Sequence, residues 1–95
     1  MPKGYLIANV TVNDPEDYAG YTAQTPQLMA RFGGKYIVRG GRAEVPEGKS
    51  HERQVIIEFP SYEDAVAAYN DHEYQKAAEI RHRTAASTII LVEGV

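Results

Sequence analysis

The sequence has no cysteine and no tryptophan. The lack of cysteine excludes disulfides, thiolate catalysis, iron–sulfur clusters and zinc sites with cysteine ligands. Positive charge is also scarce, because ten Lys and Arg face thirteen Asp and Glu, giving a net charge of −3. Nucleic acids are bound by basic surfaces, so this balance predicts no nucleic-acid partner.

Long hydrophobic runs are missing as well. No stretch approaches the ~20 apolar residues of a membrane span, so no membrane partner is expected. The first residues, Met1-Pro2-Lys3-Gly4, lack the apolar core of a signal peptide, which favours a cytoplasmic location. The 95 residues, 43% of them hydrophobic, are typical of one folded domain spanning residues 1–95. Such a short chain has a modest core, so a partner subunit would help to stabilise it.

The pattern of apolar residues predicts alternating strands and helices. The predicted strands are Tyr5 to Val12, Lys35 to Arg39, Arg53 to Phe59 and Ser87 to Glu93. Helical spacing follows Asp14-Pro15, with a kink or a break expected near Pro26. It resumes after Ser61, with a break expected at Asn70-Asp71. The order β-α-β-β-α-β predicts a ferredoxin-like α+β sandwich, an antiparallel sheet with helices on one face.

Apolar side chains are predicted on both faces of this sheet. In the third strand, Ile56 points opposite to Val55 and Ile57, and the last strand alternates Ile89 with Ile90. A face exposed to water would have fewer large apolar groups. We therefore expect a homodimer in which the open sheet face meets a second copy of the chain.

Several short motifs together indicate a family. They are Lys3-Gly4-Tyr5, Val38-Arg39-Gly40-Gly41, Ile56-Ile57-Glu58-Phe59-Pro60-Ser61-Tyr62, Tyr69, Glu73-Tyr74-Gln75, Arg81 and Val92-Glu93-Gly94. In this order the sequence resembles the bacterial domain-of-unknown-function family 1330, in the dimeric α/β-barrel superfamily. The resemblance implies a ferredoxin-like protomer and a homodimer whose two sheets form a barrel. It implies no activity, since relatives in the superfamily range from cofactor-free monooxygenases and haem-degrading enzymes to an isomerase and stress proteins.

Glu58 and Arg39 are the candidate catalytic residues. Glu58 lies in an apolar strand, where burial would raise its pKa and suit it to acid or base work. Arg39 precedes Gly40-Gly41, which would let the backbone approach a ligand while the guanidinium holds a carboxylate or enolate. The alternatives are structural. Glu58 could form an ion pair with an arginine or lie at an exposed strand end. Arg39 could pair with Glu58 or Glu93 of either chain, with Gly40-Gly41 a plain bulge.

A second group of residues is predicted to bind a ligand. Arg81 falls on the inward stripe of the last helix, where it needs an anionic partner unless its head reaches solvent. The aromatic candidates are Tyr18, Tyr21, Tyr69 and Tyr74, which could line a pocket for an aromatic acid or could simply be core. Asn9 is expected to share a sheet face with Glu58, either in a site or at the dimer interface.

Metal or haem binding is not favoured by the three histidines. His72 and His82 lie ten residues apart on a broken helix, and His51 lies in a polar loop, so no cofactor is expected. The polar segment from Arg42 to Arg53 could be a lid, a dimer contact or plain surface. The sequence thus predicts a small-molecule pocket for an aromatic or enolisable acid, with cofactor-free acid/base or oxygenase chemistry. The alternative is a structural or ligand-binding dimer without catalysis.

Overall fold

A computed structural model of the protein describes residues 2–95, so Met1 of the N-terminal segment considered above lies outside it. The elements follow in the order β1 (Gly4–Val12), α1 (Pro15–Thr22), α2 (Thr25–Ala30), β2 (Lys35–Arg39), β3 (Arg53–Phe59), α3 (Tyr62–Asn70), α4 (His72–Thr84) and β4 (Ala85–Glu93). All strand pairs are antiparallel, and the sheet order is β2-β3-β1-β4. This order, with the helices on one face, confirms the ferredoxin-like prediction.

Local signals place the helix ends. Asp14 caps α1 by accepting a hydrogen bond from the Asp17 amide at 3.3 Å. Pro26 lies in the first turn of α2, where its missing N–H costs nothing, so the predicted break falls just before it. Asp71 ends α3 and caps α4, with its carboxylate accepting from the Tyr74 amide at 3.0 Å. The four helices therefore form two consecutive pairs, α1 with α2 and α3 with α4, each joined by a short turn.

The last strand begins two residues earlier than predicted. Ala85 and Ala86 pair with Val12 and Thr11 of β1, which extends the ladder to the end of α4. Alanine has low strand propensity, so local sequence gave no sign of this extension, which is imposed by pairing with β1.

The hydrophobic core lies between the sheet and the helices. The sheet contributes alternate residues such as Leu6, Val10 and Ile57, and the helices contribute Met29 and Tyr74. The packing against β1 is so close that a Cβ on Gly4 would lie 2.3 Å from the Ser61 carbonyl oxygen. Within residues 2–95, no helix is both long enough and apolar enough to cross a membrane.

The opposite sheet face is uncovered within one protomer. Ile90 is 46% exposed and Val92 is 39% exposed on this open face. Residues 40–52 form an irregular, largely exposed segment, whose end is tied to the open face. There the His51 amide donates to Asn9 Oδ1 at 3.4 Å, and its ring lies 3.1 Å from the Thr11 hydroxyl.

Candidate functional site

A pocket opens between the sheet and the helices. Its free volume is about 30 Å³, enough for one or two water molecules. Apolar residues of β1, β3 and β4 form its floor. Its polar walls consist of three arginines, four tyrosines and two threonines: Arg39, Arg53, Arg81, Tyr18, Tyr21, Tyr36, Tyr74, Thr22 and Thr25. Aspartate, glutamate and histidine are absent from the lining that residues 2–95 provide.

Arg81 is the most deeply buried charge of the pocket, at 3% exposure. The helical period of α4 turns it inward together with Tyr74, Ala77 and Ala78, as predicted. Its Nη1 donates to the Ser87 hydroxyl at 2.6 Å, while Nε and Nη2 are buried without a hydrogen-bond partner. A buried guanidinium normally requires an anion, and the described chain supplies none. Because Arg81 is only 3% exposed, the alternative in which its head reaches solvent is wrong.

Arg39 reaches the same pocket because β2 is irregular. Tyr36 pairs with Ile57 but Val38 pairs with Ile56, so one extra residue, Ile37, is inserted into the strand. On a regular strand, residues 36 and 39 would point to opposite faces. The bulge instead places both on the helix side, with the Arg39 guanidinium carbon 5.0 Å from the centre of the Tyr36 ring.

Arg53 is a pocket residue that the sequence analysis overlooked. Its Nε is buried and has no hydrogen-bond partner among the described residues. Gly40 has a φ of +69°, and a Cβ on it would lie within 2.4 Å of Arg53 Nη1. The glycine predicted to allow a close approach therefore accommodates the Arg53 head. Strand alternation could have revealed Arg53, because it shares its parity with Val55 and Ile57.

The tyrosines join the arginines into one polar wall. The hydroxyls of Tyr21 and Tyr74 lie 2.7 Å apart, and the Arg81 guanidinium carbon lies 5.7 Å from the centre of the Tyr21 ring. Burial, followed by the contact with Tyr74, raises the pKa of Tyr21 far above its ordinary value. Burial also raises the pKa of Tyr18, although the nearby charges of Arg53 and Arg81 oppose it. The hydroxyls of Tyr18 and Tyr21 therefore stay protonated at neutral pH and can act as hydrogen-bond donors.

No protein carboxylate balances the three arginines. Across residues 2–95, ion pairs form only between Lys3 and Glu58, at 3.8 Å, and between Arg31 and Glu73, at 3.0 Å. Neither pair involves a pocket residue. The pocket is thus an uncompensated cationic site that fits a small anion.

Glu58 does not join this pocket. It lies on the open sheet face, where it accepts a hydrogen bond from the Tyr5 hydroxyl at 3.3 Å and faces Lys3. The alternative in which Glu58 pairs with Arg39 of the same chain is wrong, because the two side chains belong to opposite faces of the sheet. The residues on either side of Glu58, Ile57 and Phe59, are apolar and buried on the helix side. Glu58 points the other way, because alternate residues of β3 face opposite sides of the sheet.

Two other predicted ligand residues also lie elsewhere. Asn9 shares the open face with Glu58, as expected, and contacts the 40–52 segment through His51. Tyr69 packs on Tyr74 with a centroid separation of 5.8 Å but does not line the pocket. Of the predicted site residues, the structure therefore brings together Arg39, Arg81 and three tyrosines: Tyr18, Tyr21 and Tyr74.

The histidines are dispersed rather than clustered. His51 contacts Thr11, and His72 and His82 are exposed on α4. The part of the chain from residue 2 onward contains no group of three His, Asp or Glu side chains placed to hold a metal.

Comparison with known families agrees with this fold. The family described as a domain of unknown function (DUF1330) matches residues 3–95. The chain belongs to this family. A search of the curated proteins finds no match.

Solved structures share the fold at low sequence identity. A Rhodopseudomonas palustris protein of unknown function, RPA0582, is 21% identical with a TM-score of 0.75, over 99% of this chain and 83% of that one. SnoaB from Streptomyces nogalater, a cofactor-independent oxygenase, is 14% identical with a TM-score of 0.65, over 97% and 92%. An ethyl tert-butyl ether d (ethd) family protein from Bacillus halodurans is 13% identical with a TM-score of 0.57, over the full length of both chains. These likenesses show the fold alone.

Proposed function

We propose that this DUF1330 protein binds an aromatic or enolisable organic acid as its anion, in the pocket between sheet and helices. The observation that carries the proposal is Arg81, which is 3% exposed and has two unpartnered guanidinium nitrogens in a pocket without a carboxylate. A ligand anion would supply the missing acceptors. The pocket has room only for the anionic group, and the tyrosine rings in its wall suit contact with a flat, largely apolar body that extends outward.

The chemistry that best fits this pocket is cofactor-free oxygenation. Positive charge lowers the pKa of a bound acid, so the arginines would favour an enolate over its neutral form. The proton that the substrate loses on forming the enolate goes to water. The enolate carbon then donates two electrons to O₂ as a carbon–oxygen bond forms, and the resulting peroxide anion takes a proton from water to give a hydroperoxide. The described lining includes no carboxylate or imidazole base, which argues against proton shuttling by a side chain. The likeness to SnoaB supports this class of chemistry by fold analogy.

The same lack of a base favours the second candidate, a ligand-binding dimer without catalysis. The two functions differ in oxygen uptake, not in binding. Glu58 is the matched control residue, because it is a carboxylate on the other face of the sheet.

Native mass spectrometry of freshly purified protein tests binding first. The wild type and Glu58→Gln should retain a small acidic compound, and Arg81→Gln should lose it. The released compound, or an enolisable hydroxyaromatic ketone if none is retained, is then assayed with an oxygen electrode. Uptake that requires Arg81 would support oxygenation, and binding without uptake would support the non-catalytic dimer. A compound that wild type and Arg81→Gln retain equally would contradict the proposed site.

We also propose that two copies pair through the open sheet face. Support comes from the exposure of Ile90 and Val92, which together present apolar surface beside the partly buried Ile7 and Ile56. A two-fold axis lets the same patch cover itself on the second copy. An Ile90→Lys variant should dissociate in light scattering at a concentration where the wild type is a dimer. A wild type that is monomeric at all accessible concentrations would overturn the pairing.

A further inference from the structure

The three arginines differ in depth. Arg81 is buried at the inner end, Arg53 is half-buried, and Arg39 is exposed at the outer end. One monoanionic group in contact with Arg81 would leave the outer two arginines without an acceptor, because the described chain offers them no carboxylate. In addition to the two Arg81 nitrogens, the Nε of Arg53 is a buried donor without a hydrogen-bond acceptor among the described residues.

A groove continues outward from the pocket past these outer arginines. It has a volume of about 310 Å³ and shares four residues with the pocket: Tyr18, Thr22, Arg39 and Arg53. The inner pocket, at about 30 Å³, is too small for an aromatic ring unless a ligand extends into this groove. An elongated ligand would therefore have one end at Arg81 and the other between Arg39 and Arg53.

We infer that the ligand is a diacid, with one anionic group held by Arg81 and a second, outer one held by Arg39 and Arg53. The inference rests on the proposed function and specifies the substrate class of the same pocket. Gly40 has a positioning role, because its positive φ and missing Cβ leave room for the Arg53 head. Arg39 lines the same groove as Arg53, because the bulge at Ile37 places it on the helix side, where it packs on the Tyr36 ring.

The test compares acids that differ only in the second carboxylate. Isothermal titration calorimetry at low salt would measure binding of benzoate and of the three benzenedicarboxylates to the full chain. At least one diacid should bind the wild type about tenfold more tightly than benzoate, because a charge-assisted contact is worth roughly that much. In Arg53→Gln and in Arg39→Gln this advantage should shrink to about threefold or less, while benzoate affinity changes far less.

Matched controls keep the result interpretable. Arg42→Gln removes an exposed arginine outside the pocket lining and should keep the full diacid advantage. Gly40→Ala should reduce the advantage by displacing Arg53, whereas Gly41→Ala, which has open space around its Cβ, should not. Because Arg39 is exposed, Arg39→Gln still gives an answer if Arg53→Gln fails to fold.

The outcomes separate this inference from the proposed function. Diacids that bind the wild type no more tightly than benzoate would overturn the diacid inference and leave the pocket intact. A diacid advantage that persists when Arg39 and Arg53 are both replaced by Gln would overturn the outer subsite. Failure of benzoate and of every diacid to bind would overturn the proposed function itself, and the inference with it.

Discussion

Arg81→Met tests whether the pocket arginine serves binding rather than folding. In the unliganded protein, two guanidinium nitrogens of the buried Arg81 lack protein partners. Each such group costs ~1–3 kcal/mol when it is left unsatisfied, although water in the 30 Å³ cavity offsets part of this. Replacing a buried charge by an apolar side chain of similar length removes this cost.

The substitution also loses two favourable contacts. The charged hydrogen bond to Ser87 is worth ~1.5–3 kcal/mol, and the contact with the Tyr21 ring adds ~0.5–1 kcal/mol. Because Ser87 is half-buried, water can replace its lost partner. At mid-range values the relieved cost of ~4 kcal/mol exceeds the ~3 kcal/mol of lost contacts, so Arg81→Met should be more stable than the wild type by ~1 kcal/mol. For a domain of this size, that difference raises the melting temperature by roughly 4–8 °C.

Thermal unfolding of both proteins at one concentration, after dialysis to remove ligand, is the assay. Lys76→Met is the control, because Lys76 is exposed on the same helix and should change stability by no more than ~0.5 kcal/mol. The retained acid at a saturating concentration, or benzoate if no acid is retained, should raise the melting temperature of the wild type but not that of Arg81→Met. If Arg81→Met melts below both proteins without ligand, the guanidinium has a stabilising partner and the reasoning from unpaired charge is refuted.

Two further predictions concern the scaffold. Gly4→Ala should destabilise the fold by ~1–3 kcal/mol in urea unfolding, because the new Cβ would overlap the Ser61 carbonyl, whereas Gly41→Ala should have little effect; equal effects would contradict the packing argument. Hydrogen bonds from Arg31 hold the pKa of Glu73 below its usual range, so this pair stabilises the protein at neutral pH and the contribution disappears as the pH falls through that lowered pKa. Glu73→Gln should therefore melt below the wild type near pH 7 and equal to it in acid, and a difference that grows in acid would reverse the assignment.

Periodicity was sufficient to predict the fold and part of the site. The strand bounds of β2 and β3, the break before α2 and the cap at Asp71 all depend on local residue chemistry, which is visible in sequence. The inward position of Arg81 follows from helical spacing alone. These features were predictable because each is determined within a few residues of the chain.

The rest of the site depends on relations between strands. The side of the sheet that Arg39 faces is set by the extra residue Ile37, and a bulge is defined only by the partner strand. The apolar neighbours of Glu58 in the sequence suggested a catalytic role, yet its spatial partners are Tyr5 and Lys3 from the N-terminal end of the chain. Arg53 was overlooked because a charged residue at the start of a strand is ordinarily a surface residue.

The proposed binding pocket and the proposed pairing surface lie on opposite faces of one sheet, so the two functions should be separable. Alternate residues of β1 serve the two sides: Leu6 and Val10 face the pocket and core, and Ile7 faces the open side. The pocket lining that one protomer provides includes no residue of the open face. Ile90→Lys should therefore abolish pairing without loss of binding, and Arg81→Gln the reverse. Loss of both functions in Ile90→Lys would mean that the pocket forms only in the assembled dimer, and loss of both in Arg81→Gln would mean that pairing depends on an intact pocket.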